Sequence, residues 1–330
     1  MDKSFDIPTT PIQFEKIAVN PGPSCMSFGF DMKPLLNSIK KIGLINSPIL
    51  IKKRKGEGAV QYEVIAGFRR ISALRALSLN PIPCRILPSE TPSLDCLLIN
   101  LYENLCSRDF NPVEKGMVLT RLLDLIPERE VLDTYMPLFD LPSHRETLHL
   151  FAGVEKMFDH QAKTLLASEY LSMKAAKLLI EMDGTERNMF CGYFSAVRFS
   201  KNQQTQFIDL VSDLSHIENS PVTCLLMDPR LKDIRDNPQM NNPQKARALI
   251  TVLRKKRLPR LTKAETGFKQ MVEKLALPPA FQIVPPPFFE GAQYRLEISF
   301  ENGKDLKERL QFVANNERLA AFINPWKMNL

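Results

Sequence analysis

The chain has 330 residues, room for two or three domains at about 150 residues each, and an apolar and charged content typical of globular proteins. Its 44 Lys and Arg against 37 Asp and Glu give a net charge of +7, too modest alone to demand a polyanionic partner. No run approaches the roughly 18 apolar residues of a membrane span, and Met1–Asp6 shows no signal-peptide pattern. Cys25, Cys84, Cys96, Cys106, Cys191 and Cys224 are scattered without a C-x-x-C pair. They read as reduced thiols of a cytoplasmic protein, with neither a zinc site nor a disulfide framework. His144 and His149 do not form the H-E-x-x-H pattern of a metal hydrolase.

Taken in chain order, Gln13 to Val19 alternates apolar and polar positions and predicts a half-buried strand. Leu35, Leu36, Ile39 and Ile42 recur at helical spacing, predicting a helix from Pro34 to Ile42 that Gly43 caps. Pro48 to Ile51 reads as a buried strand, Lys52 to Gly58 as a polar hairpin turn, and Tyr62 to Ile65 as the returning strand. That strand runs through Ala66-Gly67 into a helix over Arg69 to Leu77, with Ile71, Leu74 and Leu77 inward. Ile82 to Leu87 closes this small α/β unit, which ends near Pro92.

From Ser93 the texture is helical, with Leu94, Leu97, Leu98, Leu101 and Leu105 on one face. Asn111 is a natural N-cap and Pro112 a natural first helical residue for the next helix. Short helices follow to about Ile234, punctuated by Pro127, Pro137, Pro142 and Pro221, and Asp236 to Pro243 reads as a linker. Gln244 to Ala264 contains no acid, and Lys255, Lys256 and Arg257 are the centre of its basic residues. Such a cluster suits phosphate-backbone contacts. The helix continues to Leu277, Tyr294 to Phe300 alternates like a strand, and Asp305 to Val313 is a final amphipathic helix. The expected domains are 1–92, 93–235 and 236–330, the last α+β in character.

Two short segments carry the chemistry. Gly67 permits a tight strand-to-helix turn whose helix start presents free backbone N–H groups. Arg69 and Arg70 add two fixed cations able to hold phosphate oxygens. Downstream, Glu103 and Asn104 offer a carboxylate beside an amide, a pair suited to Mg²⁺ together with a nucleotide.

Together these segments resemble the ParB partition family. Gly67-Phe68-Arg69-Arg70-Ile71-Ser72-Ala73 resembles its Gly-Glu-Arg-Arg-x-Arg-Ala motif, and the run from Glu103 to Pro112 resembles its Glu-Asn-Leu-Gln-Arg-x-Asp-Leu-Asn-Pro segment. Ser38 to Ile45 looks like the family's helix ending in Gly-Leu-Leu, and the likeness covers about Phe14 to Asp183. It departs at Phe68, where the family carries an acid, and at Ser72 and Ser107, where it carries arginine; Arg108 lies beside the last. The fold so implied is α+β: a small ParB/sulfiredoxin-like α/β domain, an all-helical middle domain with a helix-turn-helix, and a small α+β C-terminal domain.

The resemblance implies binding of CTP with Mg²⁺. By position, Gly67, Arg69 and Arg70 would hold the triphosphate, Glu103 and Asn104 the metal and phosphate, and Gly43 would lie near the base. Phenylalanine at position 68 cannot act as a general base, so hydrolysis is expected to be weak or absent. Met136 to Leu148 looks like a helix-turn-helix, with Leu141-Pro142-Ser143 as the turn. Ser143 would cap a recognition helix whose first turn shows His144, Arg145 and Thr147 to double-stranded DNA. A nucleoid-associated homodimer that CTP closes around DNA is the expected assembly. The family's partner is a ParA-like ATPase, but the short basic peptide that stimulates it is not seen at this N-terminus. The alternatives are a nuclease or phosphotransferase on the same N-terminal fold, or an adaptor that has lost nucleotide binding.

Overall fold

A four-stranded sheet flanked by helices on both faces organises the N-terminal part of the computed structural model. The structure describes residues 7–20, 22–55, 59–291 and 293–321. Met1–Asp6 and the tip of the expected hairpin turn, Gly56-Glu57-Gly58, lie outside the described residues. The chain divides into two units, Met1–Thr205 and Gln206–Leu330.

In the first unit the elements run β1 (Thr9–Ile12), α1 (Lys33–Ile42), β2 (Ile49–Lys55), β3 (Ala59–Ala66), α2 (Phe68–Ala76), β4 (Ile82–Leu87) and α3 (Ser93–Leu105). The strand order is β1-β4-β2-β3; β2 is parallel to β4 and antiparallel to β3. Because successive strand residues face opposite sides, neighbours enter different cores. Leu50 and Val64 pack with Ile39 of α1 and Ile71 and Leu74 of α2, whereas Ile51, Ile65 and Leu87 pack with Cys96 of α3. The sheet is therefore clamped between α1/α2 and α3, which brings the start of α2 and the end of α3 to one edge.

The strand expected over Gln13–Val19 does not form. Phe14–Lys16 is a 3-10 turn, in which the Ile17 N–H donates to the Phe14 carbonyl at 3.0 Å. Ile17 then makes an isolated bridge to Tyr62. Phe14 and Ile17 both join the α1/α2 core, because residues three apart eclipse in a 3-10 turn. The Phe14 N–H is taken by Asn80 Oδ1 at 3.1 Å.

The helical remainder of this unit contains α4 (Pro112–Leu123), α5 (Glu128–Glu130), α6 (Arg145–Met157), α7 (His160–Ala167), α8 (Met173–Ile180) and α9 (Gly184–Ala196). A capping box starts α4: Asn111 Oδ1 accepts from the Val113 and Glu114 N–H groups, each at 3.0 Å, and Glu114 accepts from Asn111. Helix α4 lies against α6 so closely that a Cβ on Gly116 would meet the Phe151 carbonyl at 2.5 Å. Val118, Leu119 and Leu122 fill the core with Leu148 and Phe151. Between α5 and α6 the chain makes a π-helical turn (Val131–Tyr135) and a 3-10 turn (Pro137–Phe139), then reverses through Asp140 at φ 55. Ser143 does not cap α6 as expected. The N-cap is His144, without a side-chain hydrogen bond, because the turn spends one more residue before helical geometry begins.

Helix α10 (Lys201–Glu218) runs across the division. The second unit continues with α11 (Val222–Leu226), α12 (Pro229–Asp236), α13 (Asn242–Arg257), α14 (Pro259–Leu275), β5 (Phe281–Val284), β6 (Arg295–Ile298) and α15 (Gly303–Ala314). The expected linker is shorter than Asp236 to Pro243, since Asn241 caps α13 in a second capping box with Gln244. The basic helix is not continuous to Leu277: Pro259 lacks the N–H and restarts the chain as α14. Strand β5, which sequence periodicity did not suggest, pairs antiparallel with β6. Among the described residues no helix is long and apolar enough to cross a membrane, and no three His, Cys, Asp or Glu side chains group as metal ligands.

Candidate functional site

A cleft of about 270 Å³ opens where α2 begins and α3 ends. Its walls include Cys25, Met26 and Ser27 of the loop before α1, Gly67–Arg70, and Asn100, Glu103, Asn104, Ser107 and Arg108. Gly67 makes the turn into α2 in the left-handed region, at φ 87 and ψ 27, which favours glycine. No side chain caps α2, so the N–H groups of its first residues, which line the cleft, lack intrahelical partners.

Three guanidinium groups line the cleft. Arg70 is ion-paired with Glu103 and donates from Nη1 to the Asn46 carbonyl at 3.0 Å. Arg69 donates to Ser27 Oγ and to Glu114 Oε1, both at 2.7 Å, and stacks over Phe30 at 4.5 Å. Arg108 donates to Asn104 Oδ1 at 2.9 Å, to the Met26 carbonyl at 2.9 Å and to Glu114 Oε2 at 2.6 Å. Burial, and then the like charge of Arg108, pull the Arg69 pKa below the usual guanidinium range. Behind them, Asn100 Nδ2 donates to the Ser24 and Ile65 carbonyls at 2.7 and 2.5 Å, fastening α3 and the loop to the end of β3. Asn104 Nδ2 in turn donates to Asn100 Oδ1 at 2.6 Å. Phe68 lines the cleft and also packs into the α1/α2 core.

Gly67, Arg69, Arg70, Glu103 and Asn104, singled out from the sequence, converge on this cleft. Gly43 stands apart; it ends α1 at φ 77, and the lining from that stretch comes from Leu35 and Asn46. Sequence reasoning passed over Ser27, Asn100 and, above all, Glu114. The signal for Glu114 was its place three residues after the Asn111 cap, which predicts a capping box but not its arginine partners.

The residues expected to read DNA sit elsewhere in the first unit. Arg145 is exposed in the first turn of α6 and ion-paired with Glu128 at 2.6 Å. Ser143 and His144 are exposed before it, and Thr147 is half-buried. In the second unit, Lys256 pairs with Glu218 at 2.8 Å and Arg257 with Asp213 at 2.6 Å, while Lys255 is exposed at the end of α13.

The ParB N-terminal domain model matches residues 9–105. A probable chromosome-partitioning protein ParB of Chlamydia trachomatis is 27% identical over 193 residues, covering 52% of this chain and 68% of the relative. One from Pseudomonas putida is 29% identical over 154 residues, covering 46% of this chain and 49% of the relative. A probable plasmid-partitioning protein ParB of Thermus thermophilus is 34% identical over 93 residues, covering 28% and 29%. The match thus spans from 29% to 68% of these relatives' own lengths. Among solved structures, the C-terminally truncated ParB of Caulobacter crescentus complexed with CTP-gamma-S aligns at a TM-score of 0.26 and 20% identity, over 56% of this chain and 98% of that one. The same protein complexed to the centromeric parS site aligns at 0.31 and 15%, over 56% and 91%. Residues 9–105 thus match the ParB N-terminal domain, and the chain is similar over about half its length to probable chromosome-partitioning ParB proteins.

Proposed function

We propose that this ParB-like protein binds CTP in the α2–α3 cleft and that the nucleotide gates a dimeric hold on double-stranded DNA, with weak or no hydrolysis. One observation carries the reading. The uncapped start of α2, three arginines and the Glu103–Asn104 pair converge on one cleft, although they come from segments more than thirty positions apart. Free N–H groups at a helix start and forked guanidiniums are the two recurrent protein answers to phosphate. Arg108 takes the place that Ser107 leaves vacant in the motif, since it reaches both Asn104 and the cleft.

Mg²⁺ fits the donor set. Glu103 supplies a hard carboxylate oxygen, Asn104 Oδ1 has a second lone pair beside the one Arg108 Nε takes, and this ion completes its shell with phosphates and water. Glu103 Oε2 is held by Asn104 Nδ2 at 3.4 Å, a weak interaction that leaves a carboxylate oxygen available. A phosphate entering beside Arg70 would free the other. Bound there, the ion would offset phosphate charge. Phe68 brings no proton acceptor to the cleft, in keeping with slow turnover. For DNA, Arg145 and Thr147 at the start of α6 are the proposed base-reading residues, and the end of α13 the proposed phosphate-binding segment. A homodimer and a ParA-like ATPase partner belong to the same proposal.

A second reading, an adaptor without nucleotide, is favoured by one fact. Each cleft arginine already has a carboxylate partner, Glu114 for Arg69 and Arg108 and Glu103 for Arg70. CTP titration of wild type and Arg70→Ala separates the two. The first reading predicts a loss of about 1.5–3 kcal/mol, roughly 10- to 150-fold in affinity. Equal affinity would refute the assignment of CTP to this cleft, and no binding by wild type favours the adaptor.

A further inference from the structure

Glu114 touches two of the cleft arginines without itself lining the cleft. Its side chain is 1% exposed, yet it accepts four hydrogen bonds. Oε1 receives Arg69 Nη2 at 2.7 Å and the Phe28 N–H at 3.1 Å; Oε2 receives Arg108 Nη1 at 2.6 Å and the Asn111 N–H at 3.2 Å. These donors come from the loop before α1, the first turn of α2, the end of α3 and the cap of α4. Two guanidiniums that repel each other are thereby fixed beside one another, and the loop bearing Ser27 is tied to both.

Resting on the nucleotide reading of the cleft, we infer that Glu114 is a positioning residue for the triphosphate. It sets the spacing of Arg69 and Arg108 from behind and does not touch the ligand. An ionised carboxylate has acceptor sites enough for all four donors. A glutamine amide offers one oxygen, and its NH₂ faces donors at the other position. It also removes the charge that holds the two cations together, so they separate and the preformed phosphate grip is lost. The negative charge of Glu114 lowers the net attraction of the cleft for phosphate. A carboxylate that acted only through that charge would make Glu114→Gln bind more tightly, so the sign of the effect distinguishes positioning from simple neutralisation.

The test is a double-mutant cycle on the full chain, read by CTP titration with Mg²⁺ and by thermal melting. Glu114→Gln is expected to weaken CTP binding about tenfold in wild type and less than about twofold in Arg108→Gln, because coupled neighbours are not additive. Unchanged or tighter binding by Glu114→Gln, or an equal loss in both backgrounds, overturns the inference. Should Glu114→Gln fail to fold, Glu114→Asp makes the same comparison, keeping the charge but withdrawing it by one methylene. About a threefold loss is then expected in wild type and none in Arg108→Gln, again as a coupling effect. Equal losses in both backgrounds overturn the inference here too. Arg70→Ala, whose partner is Glu103, is the control. If Arg70→Ala weakens CTP and Glu114→Gln does not, the positioning role alone fails. If wild type binds no CTP, both the cleft assignment and the positioning role fall.

Discussion

Replacing Gly67 by alanine tests the geometry of the cleft from its tightest point. Gly67 sits at φ +87, where an L-residue costs roughly 1–2 kcal/mol of strain. A Cβ there would also lie 2.8 Å from Arg70 Nη2 and 2.9 Å from its Nε, inside any tolerated approach. The neighbour is the far end of a flexible side chain, so the guanidinium moves and the fold survives. The two consequences are separable. Chemical denaturation should show a stability loss of about 1–2 kcal/mol, the strain alone. CTP affinity should fall further, because Arg70 is displaced from the position set by Glu103 and Asn46. A charge-assisted hydrogen bond to phosphate is worth about 1.5–3 kcal/mol, roughly 10- to 150-fold in affinity. In an Arg70→Ala background, the affinity cost of Gly67→Ala should shrink to less than about twofold, since its target is gone. Calorimetric titration of the four proteins measures this. Full CTP affinity in folded Gly67→Ala would refute the placement of Arg70 against the nucleotide.

Asn111→Ala removes the cap of α4 and the Nδ2 donor to the Phe28 carbonyl at 2.9 Å, so urea unfolding should report a loss of about 1–2 kcal/mol. An unchanged midpoint would mean that the capping box does not form in solution. Burial pushes the Cys84 and Cys191 thiols up to about 12, against an ordinary value near 9. The folded state holds these protons more tightly than the unfolded one, so the stability they contribute is whole below pH 9 and lost as pH rises towards 12. A pH series of melting curves checks this. For DNA, neutralising Lys255 together with Lys256 and Arg257 should make the salt slope shallower by about 0.9 for each DNA phosphate these cations no longer neutralise. Lys255→Ala alone should account for most of that change, because Lys256 and Arg257 are held by Glu218 and Asp213. Arg145→Ala should instead narrow the gap between preferred and random DNA by about 1–3 kcal/mol if Arg145 grips a base edge. Binding isotherms at several salt concentrations resolve both effects.

Local physics accounts for what the sequence made legible. Ile82–Leu87 closes the small α/β unit as expected, forming β4; the Asn111-Pro112 pair starts α4, and Gly43 ends α1. Each is decided within a few residues. The misreadings arise where distant groups decide. Gln13–Val19 has a strand's alternation, but Asn80 takes the Phe14 N–H and the α1/α2 core draws Phe14 and Ile17 together. Strand β5 is four residues long and exists only by pairing with β6. Among site residues, Gly67, Arg69, Arg70, Glu103 and Asn104 were legible because they form two local motifs. Glu114 was not, because its partners at positions 28 and 69 come close only in the folded chain. Arg108 shows the same limit: its reach to the cleft depends on how α3 ends, which a motif position does not encode.

The most direct measurement is calorimetric titration of the full chain with CTP, ATP, GTP and UTP in turn, each with Mg²⁺. The account predicts saturable binding of CTP in clear preference to the other three, and its loss in Arg70→Ala. No CTP binding, or equal binding of all four nucleotides by wild type and Arg70→Ala, would contradict it.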